Sequence, residues 1–183
     1  MSFEFGLSDD YVKQLFGMKG LTGEKLTSHK NYKHYEWVRH KKEGQMMGKW
    51  LDRWSDDLTP RPTFKVWEHF GLEAMALRNV PLSDIKKTPG FASYERYVKG
   101  FDYYVMRWRK SSYPRKIQIP REASRTEMLA KAEIWGKTQM TDDYVLYALG
   151  LNKMSRERLA VNDDYNHVFK RFKEVQAEAK MKV

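Results

Sequence analysis

The chain has 183 residues, with 34 Lys and Arg against 24 Asp and Glu, a net charge of +10 and a pI near 9.6. That length suits one compact domain or a row of small modules and excludes two large domains, while 41% hydrophobic and 14% aromatic residues give enough apolar bulk for a folded core. With no cysteine, disulfides, thiolate zinc sites, iron-sulfur clusters and cysteine nucleophiles are all excluded.

The longest apolar run, Tyr144 to Leu149, falls far short of the roughly 20 residues of a membrane span, and mean hydropathy is -0.78. The start, Met1-Ser2-Phe3-Glu4-Phe5, has neither a basic region nor a long apolar stretch, so no secretory signal is expected in it. The net charge favours anionic partners, whether nucleic acid, acidic membrane or an acidic protein face.

In chain order, the first predicted helix runs from Asp9-Asp10-Tyr11-Val12 to Gly17, where a glycine suits the positive φ of a helix C-terminus. A short helix and a longer one opening on Tyr32 follow. This unit recurs 133 positions later: Asp9 to Val12 return as Asp142 to Val145, and Gly17, Glu24, Leu26, Tyr32 and His34 return as Gly150, Glu157, Leu159, Tyr165 and His167. Nine identities in 26 positions indicate a duplication. A third copy lies between them: Val66-Trp67-Glu68-His69-Phe70-Gly71-Leu72 repeats the approach to the glycine, and Phe91 and Tyr94 repeat the later aromatic pair after an insertion of five residues.

Further helices are expected ahead of the second and third units, one carrying Met46, Met47, Trp50 and Trp54, the other Met128, Leu129, Ala132 and Trp135. Pro60 and Pro62 mark a turn. Pro89 opens a helix whose apolar stripe is Phe91, Tyr94, Val98, Phe101, Val105 and Trp108, and Tyr165, Val168, Phe169 and Phe172 form another. The fold class is therefore all-α, with modules of short helices stacked end to end. Trp54, Trp67, Phe91, Tyr94, Tyr97, Trp135 and Tyr165 are the expected core aromatics.

Phe64 to Leu72, followed by Lys86-Lys87-Thr88-Pro89-Gly90-Phe91-Ala92-Ser93-Tyr94-Glu95-Arg96-Tyr97, resembles the W and Y motifs of oomycete RXLR effectors, and Met46 to Trp54 and Met128 to Trp135 resemble the extra Leu-rich helix of the L-W-Y repeats. The resemblance implies a Y-type unit plus first L-type helix at 1–59, a central W-Y unit with a basic loop at 60–120, and a divergent L-W-Y unit at 121–183, stacked as an elongated array. Only the middle unit has the signature Trp, at Trp67; Lys13 and Leu146 stand in its place elsewhere. No Arg-x-Leu-Arg or Glu-Glu-Arg motif occurs, so the resemblance implies an effector region without its leader. It further implies a secreted virulence protein, without enzymatic activity, that enters plant cells, reaching cytoplasm, nucleus or the inner plasma-membrane face, and suppresses immunity by binding a host protein.

Other chemistry is poorly supported. Gly17, Gly20 and Gly23 lack the Gly-Lys-Ser/Thr of a phosphate loop and read as cap and turn; the five histidines lack a ligand pattern; no nucleophile set or Gly-x-Ser-x-Gly elbow occurs. No cofactor or metal is expected. Between Arg107 and Arg125, however, seven cations, Arg107, Arg109, Lys110, Arg115, Lys116, Arg121 and Arg125, face one acid, Glu122. Arg107, Arg109, Lys110, Arg115, Lys116 and Arg121 are the candidate partner-binding residues, as a dock for an acidic host protein, a nuclear-import signal, or a peripheral contact for acidic lipid; the other reading is a solvated linker. The alternative function is nucleic-acid binding, with Trp108 and Tyr113 stacking bases among the cations.

Overall fold

The computed structural model describes residues 8–51, 60–109 and 123–181, and among them the chain is helical with no strand. Two compact units divide at Trp50 and Leu51. The expected Trp54 lies outside the described residues.

In the first unit, helix α1 (Asp9–Leu15) is capped by Ser8, whose hydroxyl accepts from the Tyr11 amide at 3.2 Å. It closes at Gly17, φ 71°, with the Met18 amide reaching back to the Lys13 carbonyl at 2.7 Å, the bond pattern of a left-handed C-terminal cap. Helix α2 (Gly23–Thr27) follows, then α3 (Tyr32–Leu51). Val12, Met18 and Tyr35 form the buried core, with Phe16, Leu21, Leu26, Tyr32 and Val38 packed against it. The separate helix expected around Met46 is instead the end of α3. No proline interrupts Tyr32 to Leu51, and Gly44 and Gly48 are tolerated inside a helix at a cost of about 1 kcal/mol each.

The second unit contains α4 (Thr63–His69), α5 (Leu72–Leu77), α6 (Leu82–Ile85), α7 (Pro89–Arg109), α8 (Arg125–Lys137), α9 (Asp142–Ala148), α10 (Arg156–Ala160), a π-helical turn at Tyr165–Phe169 and α11 (Lys170–Lys180). The 133-residue offset holds to the residue: α9 and α10 have the bounds of α1 and α2 displaced by that amount, and the π turn opens at Tyr165 as α3 opens at Tyr32. Thr141 caps α9 as Ser8 caps α1, and Gly150 closes it with φ 68°. Helix α4 is the same seven-residue element, ending at Gly71 with φ 72°. None of the described helices is long and apolar enough to cross a membrane.

The second core forms where α4 and α8 meet α7. Trp67 sets its ring edge-on to Tyr94 at 4.9 Å and to Phe91 at 6.4 Å, with all three buried. Helix α8 is enclosed on most sides: Ala130, Ala132, Ile134, Trp135 and Gly136 are buried, and so are Glu127, Lys131 and Glu133. It packs most extensively on α11, and at Gly136 the two helices nearly touch. A Cβ there would lie 2.7 Å from Val175 Cβ and 2.9 Å from the Gln176 backbone nitrogen.

Two stability predictions follow from this packing. Trp67→Ala should cost about 3 to 5 kcal/mol in chemical denaturation followed by circular dichroism. Gly136→Ala, which in an exposed helix would gain about 1 kcal/mol, should here destabilise by about 1 to 3 kcal/mol, because its new methyl meets the branched Val175 side chain and the Gln176 backbone nitrogen.

Candidate protein-binding surfaces

Taking polar groups out of water requires partners for them, and in the second unit those partners consume much of the conspicuous chemistry. The Asp102 carboxylate, on α7, accepts from Trp135 Nε1 at 2.8 Å and from the Tyr144 hydroxyl at 2.5 Å, tying α8 and α9 to α7. Burial pushes its pKa up to about 6, against the opposing pull of Lys131 and the two donors. Glu127 Oε1 accepts from the Tyr94 hydroxyl at 2.7 Å; burial raises this carboxyl too, and its Oε2 is buried without a hydrogen-bond partner. Glu73 accepts from Trp67 Nε1 at 2.8 Å and from Ser124 Oγ at 2.7 Å, joining α4 and α5 to the start of α8. Tyr97 donates to the Arg61 carbonyl at 2.6 Å. Glu133 takes Lys86 and, at 2.7 Å, Arg171; burial pushes its carboxyl up, and these cations outweigh that and hold it below the usual range. The arrangement is structural: each acid is spent on a neighbour rather than aimed at a shared opening.

The expected core aromatics are placed as follows. Trp67, Phe91, Tyr94, Tyr97 and Trp135 are buried in the second unit, and Tyr165 is half-buried, stacked on Phe169 at 5.1 Å. Of the candidate binding cations, Lys110, Arg115, Lys116 and Arg121 lie outside the described residues. Arg107 is exposed at the end of α7. Arg109 is committed internally: its guanidinium lies 4.1 Å from the Tyr147 ring centre and reaches Asp143 at 3.2 Å, holding α9 beside α7. Arg125 pairs with Asp163 at 2.7 Å.

A surface the charge pattern did not single out lies on the first unit. Between α1 and α3 is a half-open groove of about 300 Å³, lined by Val12, Tyr35, Val38 and Met46 with Asp9, Arg39, Lys42 and Glu43. Asp9 accepts from the Tyr35 hydroxyl at 2.7 Å and pairs with Lys13 at 2.9 Å; partial burial raises its carboxyl, and these donors outweigh that and lower it. Arg39 Nε is buried and makes no hydrogen bond; it stands 3.7 Å from Glu43, and its charge also reaches Asp9. The available signal was Tyr35, Val38 and Met46 at helical spacing, obscured because Arg39, Lys42 and Glu43 interleave charges that read as a solvated face.

Comparison with known proteins finds similarity to a secreted RxLR effector protein of Phytophthora infestans (strain T30-4), 26% identical over 149 residues. The matched region is 81% of this chain, and the chain spans about 60% of the length of that curated relative. No family profile matches, and no solved structure matches. The similarity supports the oomycete RXLR-effector assignment over most of the chain; it does not bear on the division into W-Y repeats.

The Asp102 carboxyl generates a pH prediction. Its folded pKa of about 6 lies above the 3.8 of an ordinary aspartate, so the folded state holds the proton more tightly. The associated stability is fully present below about pH 4 and is lost as pH rises through about 6, a change of at most about 3 kcal/mol. Denaturation from pH 4 to 7 should show this loss in the parent and a flatter profile in Asp102→Asn, the difference isolating Asp102 from Glu127 and Glu133.

Proposed function

We propose that the chain is a secreted virulence effector that is delivered into plant host cells, binds a host protein through its surface and suppresses immunity without catalysing a reaction. The observation that carries this reading is the likeness to a secreted RxLR effector over 81% of the chain. The internal repeat supports it further, because a seven-residue helix closed by a left-handed glycine occurs three times, at Gly17, Gly71 and Gly150. On this reading the units are a Y-type unit with its L-type helix at 1–59, a W-Y unit at 60–120 and a divergent L-W-Y unit at 121–183, stacked in an array. The buried polar bonds hold the scaffold, and exposed residues select the partner.

The basic stretch from Arg107 to Arg121 is the proposed contact for an acidic host protein, less Arg109, whose cation is held by Tyr147 and Asp143. Affinity capture from plant tissue with the intact chain should retain a specific host protein. Changing Arg107, Lys110, Arg115 and Lys116 together to Gln should remove it while helicity is unchanged. An unchanged capture would move the contact elsewhere. Retention on DNA or RNA at physiological salt, falling steeply with log salt, would replace the reading with nucleic-acid binding.

A further inference from the structure

The three copies of the unit differ in what covers their long helix. Aligned on the repeat, Tyr35, Arg39, Lys42 and Glu43 of α3 correspond to Tyr94, Val98, Phe101 and Asp102 of α7, and to Val168, Phe172, Val175 and Gln176 in the last unit. Every one of those eight counterparts is buried. The cover is the same element in both places: α8 meets the α7 face through Glu127 on Tyr94 and Trp135 on Asp102, and meets the α11 face through Gly136 against Val175 and Glu133 against Arg171.

In the first unit the equivalent face is the wall of the groove. Tyr35 is buried, but Val38, Arg39, Lys42, Glu43 and Met46 are half-exposed around about 300 Å³ of apolar-lined space. On α1, Tyr11 is 46% exposed, while its counterpart Tyr144 is 2% exposed and sets its ring edge-on to Trp135 of α8 at 6.4 Å. Among the described residues of the first unit, no helix occupies the corresponding space on either wall.

We infer that the α1/α3 groove is the seat for an amphipathic helix of a partner protein, built like α8, with apolar residues facing Val38 and Met46, a small residue opposite Lys42 and Glu43, and an Asp or Glu that accepts from Arg39. The carboxylate is required by charge. At the repeat position held by neutral Val98 and Phe172 in the other two units, the first unit presents Arg39, whose buried Nε has no hydrogen bond; Glu43 stands 3.7 Å away, and Asp9 is tied up by Tyr35 and Lys13. A small residue opposite Lys42 and Glu43 follows from Gly136, which closes on their counterparts Val175 and Gln176. The inference rests on the reading of the chain as a protein binder, and it uses residues of the first unit rather than those of the basic stretch.

The test is a fluorescent helical peptide with the sequence of residues 124–140, titrated into the full chain. Saturable binding is expected, and Arg39→Ala and Met46→Asp in the protein, or Glu127→Gln with Glu133→Gln in the peptide, should each weaken it about tenfold, the scale of one charge-assisted hydrogen bond. Methyl spectra with unlabelled peptide should shift Val12, Val38 and Met46 and leave Val168 and Val175 in place. No saturable binding, shifts confined to Val168 and Val175, or indifference to both protein variants when their melting matches the parent would overturn the seat. Capture of a host protein by the intact chain alongside any of those failures would leave the wider protein-binding reading standing.

Discussion

Asp102 sits in the interior of the second unit, and the surrounding helices are arranged to keep it supplied with donors. An ionised carboxylate removed from water loses solvation worth several kcal/mol, so the two hydrogen bonds it accepts, from Trp135 and Tyr144, constrain the positions of α8 and α9 relative to α7. Lys131 supplies the nearby positive charge and donates to Thr63 at 3.2 Å, which brings α4 into the same network. Apolar contacts among Trp67, Phe91 and Tyr94 supply most of the driving force there, being non-directional and proportional to area. The carboxylates supply register. A slip of α8 by one residue would leave Glu127, Glu133 and Trp135 each buried against the wrong neighbour.

That economy explains why α8 departs from the usual one-sided amphipathic pattern. It is a helix with two interfaces, one on α7 and one on α11, so its buried residues run through Ala130 to Gly136 without a solvent-facing break. Charged residues survive in that run because each ends on a partner: Glu133 on Lys86 and Arg171, Lys131 on Thr63. Gly136 lets the two helices come so close that a Cβ there would lie within 3 Å of Val175 and the Gln176 nitrogen. The repeat is thus conserved in its small capped helices and varied in what fills the space against the long one.

If the chain acts by recognition, as proposed, this division of labour has a direct functional meaning. The acids and aromatics that would attract attention as a site are bound into the scaffold, and Arg109 joins them through Tyr147 and Asp143. Surfaces left for partners are those the scaffold does not use, among them the exposed end of α7 at Arg107 and the groove of the first unit. A rigid support beneath such surfaces lowers the ordering cost of binding.

The sequence by itself determined the local elements and their repetition. Ser8, Thr141, Gly17, Gly71 and Gly150 act within a few residues of where they stand, through caps and positive φ, so helix bounds that recur at a fixed offset can be read without any partner in view. The stripes holding Trp67, Tyr94 and Trp135 were legible for the same reason, since 3.6-residue periodicity is a local property. What only the tertiary structure decided was which copy of a motif is covered. Asp-Asp-Tyr-Val occurs twice with opposite outcomes: Tyr144 is sealed by Trp135 and Asp102, which stand 9 and 42 residues before it, whereas Tyr11 faces solvent. Likewise a lone acid in an apolar stripe, Asp102, and a cation in a basic run, Arg109, take their roles from residues far along the chain. Burial depends on what arrives from elsewhere, and no short stretch of sequence encodes it.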